Sequence, residues 1–280
     1  MIYISSSCTK HDKISQSIEF LANQGFKNIE LSGGTNFYND IIDDLKKLKV
    51  RYKLNYLVHN YFPPPKNHFV LNLASLDDEI YTKTLDHYKS AINLAKEVGA
   101  TKFGLHAGFF IDPSLDQLGN PISYQQVADK EVAIKRFCNG FNILKEQTDS
   151  IDLYVENNVI SASNFETYGE NILMLTNSDE YIQLSQQLDF NLLVDVAHLK
   201  VSCKTLGLNF SEELKILWNK SDYIHLSDND GYSDSNYPLL QESEIFDFLK
   251  FHFKNDNTYS LEIYKGIEEV KKTFNLINNL

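Results

Sequence analysis

The sequence predicts an α/β fold, a (β/α)8 TIM barrel forming a single domain over residues 1–280. Three observations lead there. Short β-branched or aromatic runs alternate with longer amphipathic stretches, which is the signature of βα units and a parallel sheet. Eight such units fit the chain, and a barrel of this kind typically needs roughly 250 residues. The competing doubly wound sheet would place a glycine-rich phosphate loop after its first strand, whereas Ser5-Ser6-Ser7-Cys8-Thr9 stands there.

The elements follow in order. A strand over Ile2–Ser5 precedes a helix whose apolar residues Ile14, Ile18 and Leu21 recur at helical spacing. Strands over Asn28–Leu31 and Tyr52–Val58 come next, and the Tyr88-Ile92-Ala95 helix closes at Gly99. The fourth strand, Lys102–His106, leads to a helix carrying Val132, Ile134, Phe137, Phe141 and Leu144. Runs at Ile151–Glu156, Asn191–Asp195, Asp222–Leu226 and Tyr259–Ile263 supply the remaining strands. Leu214-Leu217-Trp218 and Ile267-Val270-Phe274-Ile277 mark later helices. No Gly/Ser-rich linker or like-charge block divides the chain, and its only proline run is Pro63-Pro64-Pro65.

Composition limits the function. Hydrophobic residues make up 42% and charged residues 23%, so a large core is expected. The net charge is −12 and the only arginines are Arg51 and Arg136, which argues against non-specific nucleic-acid binding. Such binding through a local patch stays open. Cys8, Cys138 and Cys203 are far apart and odd in number, so neither a disulfide framework nor a CxxC zinc knuckle is expected. The N-terminus lacks a basic, apolar leader, and no apolar run approaches the length of a membrane span. The expectation is a cytoplasmic protein with no membrane partner, its homo-oligomeric state open.

In such barrels the chemistry sits where strands end and βα loops begin. The third strand ends at His59, the fourth at His106, the fifth at Glu156 and the sixth at Asp195, with His198 three residues on. The seventh ends at His225, followed by Asp228 and Asp230, and the eighth carries Glu262. The second ends at Glu30. A lone strand histidine is ordinarily a hydrogen-bonded core residue, and a lone glutamate an outward, solvated one. His11, His68, His87 and His252, in helix or loop patterns, keep that reading. Six consecutive strands with ionisable residues at one end change it. Burying so many charges uncompensated would cost several kcal/mol per ion, which a divalent cation relieves. Mixed carboxylate and imidazole ligands suit zinc or manganese, with magnesium, cobalt or iron as alternatives, better than calcium.

The ordered segments "GFKNIEL", "VHNYFPPP" with "LNLAS", "GATKFGLHAG", "YVENN", "LLVDVAHLKVS", "YIHLSDNDG" and "SLEIY" resemble the xylose isomerase-like barrels. That group joins sugar-phosphate isomerases and epimerases to endonuclease IV, a zinc AP endonuclease. The resemblance implies a metal set of Glu156, Asp195, His225 and Glu262, with the two glutamates also moving a proton. The endonuclease branch implies a second metal held by His59, His106 and Glu156, and part of a third at His198. Asp234-Ser-Asn236 is the nearest match to the Asp-x-His that completes the third site; asparagine stands in place of the histidine, and Leu240-Gln241-Glu242 in place of the usual Gly-Glu-Gly.

The leading expectation is therefore a metal-dependent isomerase or epimerase of a small carbohydrate, free or phosphorylated, working through a metal-stabilised ene-diolate. Glu156 and Glu262 act as acid and base, and His198 binds a substrate oxygen. Asp228 orients His225, while Asp230 and Glu30 stand beside the site. Tyr61, Phe62, Phe109, Phe110 and Tyr232 are expected near the mouth, and Lys200 and Lys265 at the surface. The alternatives are a zinc phosphodiesterase at abasic DNA and, last, a non-catalytic barrel used as a binding module.

Overall fold

Eight parallel strands pair in sequence order and close into a barrel, β1 against β8. A computed structural model of the chain describes residues 1–148 and 150–280. The chain runs β1 (Ile2–Ser5), α1 (Ile14–Asn23), β2 (Asn28–Leu31), α2 (Ile41–Tyr52), β3 (Asn55–His59), α3 (Asp78–Val98), β4 (Lys102–His106) and α4 (Lys130–Lys145). There follow β5 (Asp152–Glu156), α5 (Ala162–Tyr168), α6 (Ser178–Ser185), β6 (Asn191–Asp195), α7 (Val196–Leu206) and α8 (Phe210–Trp218). β7 (Tyr223–Leu226), α9 (Glu244–His252), β8 (Thr258–Leu261) and α10 (Ile267–Asn278) complete it.

Two strand boundaries differ informatively from the sequence reading. Tyr52 is the last residue of α2, because Lys53 turns left-handed (φ 55°) and Leu54 N–H closes onto the Lys49 carbonyl. The third strand thus starts at Asn55 and runs on to His59. β8 ends at Leu261, so Glu262 lies one residue past it, still tied to the barrel by its N–H to the Leu226 carbonyl, 3.2 Å.

The two-residue period of a strand separates the two cores. Val58, Phe103, Val155, Val194, Ile224 and Leu261 point outward and pack in the main core with the helices. Tyr3, Leu57, Tyr154, Leu193 and Tyr223 point inward and fill a separate layer inside the barrel. Two residues beyond Leu57, Tyr154, Leu193 and Tyr223, on the same inward face, come His59, Glu156, Asp195 and His225. Register aligns them: Asp195 sits opposite His225, and His106 opposite Glu156. Gly104 leaves space for this layer, since a Cβ there would meet His59 Cδ2 at 2.8 Å and Leu193 Cδ1 at 2.7 Å. Among the described residues, no helix is long and apolar enough to cross a membrane.

Candidate metal centre and active site

The upper layer is held from several sides. Asp195 caps α7: its Oδ1 accepts the His198 N–H at 2.7 Å, and its Oδ2 is left facing the barrel axis. His198 lies in the first turn of α7 and its Nδ1 is 2.9 Å from the Asn157 carbonyl. A carbonyl can only accept, so Nδ1 donates to it, and Nε2 carries a second proton toward Asp234, 3.3 Å away. Burial lowers the His198 pKa, but Asp195 and Asp234 outweigh it and hold it well above the ordinary value. His225 is fixed from behind. Its Nε2 is 3.1 Å from Glu30 Oε2, which also accepts the Tyr223 hydroxyl. Its Nδ1 therefore faces Glu156 Oε1 at 3.2 Å, and Asp195 Oδ2 and Glu262 Oε2, each at 3.8 Å. On the other flank, Glu156 Oε2 meets His59 Nε2 at 2.7 Å and His106 Nδ1 at 3.3 Å.

These atoms come close without satisfying one another. Among the described residues, His106 Nδ1, Glu156 Oε1, Asp195 Oδ2 and His225 Nδ1 are buried and lack a hydrogen-bond partner, although ion-pair neighbours lie close. Buried polar atoms are rarely left so, and ligand-type atoms without partners in one layer fit bound cations. Three overlapping groups can each hold an ion: Glu30, His59, His225 and Glu262; His59, His106 and Glu156; and Glu156, Asp195 and His198.

The electrostatics agree. Burial pushes the Glu156 carboxyl up, but His106, His59 and His225 together outweigh it and hold it well below the ordinary range. Burial likewise pulls His225 toward neutrality, and Glu30, Glu262 and Glu156 reverse this, keeping its pKa well above the usual value. Asp195 is driven up to about 7 by burial, reinforced by Asp234 and Glu156 against His198. Burial also raises Glu262, and it lowers His106 to about 4 despite Glu156, which leaves a neutral, ligand-competent imidazole. A divalent ion bound here would displace the protons that otherwise balance these carboxylates.

Not every residue singled out in the sequence joins this cluster. Asp228 Oδ1 accepts from Lys200 Nζ and from the Asn229 N–H, both at 2.7 Å; the carboxylate behind His225 is Glu30. Asp230 is exposed and accepts the N–H groups of Tyr232 and Ser233, which shapes its loop. Lys200 is no surface residue: it is half-buried between Asp228 and Glu244. Lys265 is exposed. Phe62 and Phe110 pack into the core, so only Tyr61, Phe109 and Tyr232 of the aromatic set reach the cleft at the mouth. That cleft has a volume of about 510 Å³ and touches the centre at His106, His198 and Asp234. In the Asp234-Ser-Asn236 stretch, Asp234 faces His198, while Asn236 is buried, its Nδ2 donating to Ser227 Oγ at 3.4 Å.

The sequence model of the xylose isomerase-like TIM barrel family matches residues 18–278. The chain belongs to the xylose isomerase-like TIM barrel family. No curated protein matches it. Among solved structures, this xylose isomerase-like barrel is similar to a D-tagatose 3-epimerase-like protein at TM-score 0.71 and 17% identity, covering 99% of this chain and 98% of that one. Endonuclease IV from Thermus thermophilus matches at TM-score 0.62 and 15% identity, covering 99% and 97%. A 3-keto-D-glucoside 4-epimerase from E. coli matches at 0.65 and 11%, covering 99% and 97%. At these identities the likeness establishes the fold.

Proposed function

We propose that the protein is a divalent-metal-dependent isomerase or epimerase of an uncharged sugar. The observation that carries this reading is the placement of Glu156 and Glu262. They come from strands three apart in the ring, and both reach His225 Nδ1, at 3.2 and 3.8 Å, beside Asp195. Inverting a carbon next to a carbonyl takes an acid–base group on each of its faces, and two glutamates from different strands beside one metal-ligating histidine support that role. Glu156, Asp195, His225 and Glu262 would hold the ion, and a bound zinc or manganese would supply a Lewis acid for the carbonyl and its neighbouring hydroxyl. His198, its Nδ1 engaged by Asn157, offers Nε2 to a substrate oxygen at the cleft floor. Asp195 and His225 hold position, the former through its helix cap and the latter through Glu30.

The cleft supports an uncharged substrate. Among the described residues, none of its lining side chains is Lys or Arg, and Asp234 adds a carboxylate. A sugar phosphate or a nucleic-acid backbone would find no Lys or Arg on this lining, so only the metal end could neutralise its charge.

Zinc phosphodiesterase chemistry is the second reading. His59 and His106 flank Glu156, and Asp234 faces His198, so ligands for more than one ion are present. Asn236 withholds a further imidazole.

The test is to strip the protein with EDTA, restore one metal at a time and assay a ketose and aldose panel beside an abasic duplex. The proposal predicts metal-restored interconversion of sugars and no incision, with Glu262→Gln lowering kcat by about 10²–10⁴. Incision without sugar turnover, or full activity in Glu262→Gln, would contradict it.

A further inference from the structure

The cleft outside the metal centre is chemically divided. At the barrel mouth it presents His106, His198 and Asp234. The loops that follow β3, β4 and β5 add Leu71, Phe109, Leu118, Ile122, Val159 and Leu173 to its walls, with Asn and Ser side chains between them. Polar residues there are largely spent on the loops themselves. The Asn158 amide donates to the carbonyls of Ala107, Gly108 and Met174. Asn164 Oδ1 accepts the Ile122 N–H, Gln117 Oε1 accepts the Ser114 N–H, and the Asn120 amide donates to the Asp116 carbonyl. Leu118 remains 43% exposed beside this apolar wall.

The geometry points to an uncharged sugar that carries an apolar substituent of about phenyl size, its sugar end at the His106–His198 floor and its apolar group between Leu118, Ile122 and Phe109. This rests on the proposed reading that a sugar occupies the metal end. Among the described residues no Lys or Arg lines the cleft to pair a phosphate or carboxylate tail, and the side chains of Phe109, Leu118 and Ile122 favour an apolar group over a second sugar. Cavity volume agrees, since about 510 Å³ falls in the range of small-molecule sites that take more than a single hexose.

The experiment compares methyl β-glucoside with phenyl β-glucoside by isothermal titration of the metal-restored protein. The phenyl compound is expected to bind about tenfold more tightly, as burial of an aromatic ring implies. Leu118→Asp, at an exposed position that should not disturb folding, is expected to erase that gain and leave methyl glucoside unchanged. Leu115→Asp, on the same loop and equally exposed but outside the cleft, is expected to retain it. Equal affinities for the two glucosides, a gain that survives Leu118→Asp, or a gain lost in both variants would overturn the subsite. The titration needs no turnover. A protein that converts no sugar but ranks the ligands as expected upholds the subsite and loses the isomerase reading. One that interconverts simple ketoses yet ranks the glucosides equally loses the subsite alone.

Discussion

Two layers inside the same barrel differ by one turn of the strand period and by everything in their chemistry. The lower layer of Tyr3, Leu57, Tyr154, Leu193 and Tyr223 is closed by packing, with the Tyr154 hydroxyl donating to Asp222 and that of Tyr223 to Glu30. The upper one, two residues on along the same strands, is built of His59, Glu156, Asp195 and His225, and four of its buried polar atoms, counting His106 Nδ1, lack a hydrogen-bond partner among the described residues. The backbone positions are equivalent, so the difference lies in the side chains alone. The lower layer sets the spacing that the upper one uses, and Glu30 joins them by accepting the Tyr223 hydroxyl while backing His225.

Substitutions in the two layers should therefore fail in different ways. The largest effect is expected for Glu156→Gln, which removes the carboxylate shared by His59, His106 and His225. Activity should fall by about 10³ or more, with fewer metal ions per chain by elemental analysis and a retained circular dichroism spectrum. Leu193→Ala in the lower layer should instead cost about 2–5 kcal/mol in urea unfolding, while the folded fraction keeps its metal. If both variants lose metal and stability alike, the layers are not separable.

Glu30→Gln tests the link between them. It keeps the shape but weakens the hold on His225, and metal affinity measured against a competing chelator should drop about 10–100-fold. Asp228→Asn, whose carboxylate pairs with Lys200, should leave that affinity within a few-fold.

The smallest effect sharpens the contrast between histidines with and without a carboxylate. His87 on α3, ringed by Phe69, Tyr61 and Tyr88, is held down to about 4 by burial. The unfolded chain takes up that proton near pH 6.5 and the folded one resists, so stability falls as pH drops from about 6.5 to 4. Discounted for its partial exposure, the loss is about 1–2 kcal/mol. His87→Leu should flatten this part of the wild-type curve of unfolding free energy against pH; parallel curves would remove His87 from the account.

The strands and their reactive ends were legible because period two leaves a visible mark: an ionisable residue where an apolar one should fill the barrel. The partner of His225 was not. Asp228, three residues along, is near in sequence but turns away to Lys200; Glu30 is distant in sequence and meets His225 only because the sheet closes. Its signal was present in "NIEL", a glutamate at an inward position between Ile29 and Leu31. Tyr52 was misplaced in a strand because an aromatic suits both a strand and the last turn of a helix, and the left-handed Lys53 that ends α2 carries no glycine to announce it.

The central claim is that Glu156 and Glu262 move a proton on a sugar carbon. It is tested most directly by incubating metal-restored protein with a ketose panel in D2O and following the α C–H signals by proton NMR. The account predicts loss of one such signal as deuterium enters, at a rate that collapses in Glu262→Gln. Signals that persist across the panel with metal bound, or deuterium entry that Glu262→Gln leaves unchanged, would contradict it.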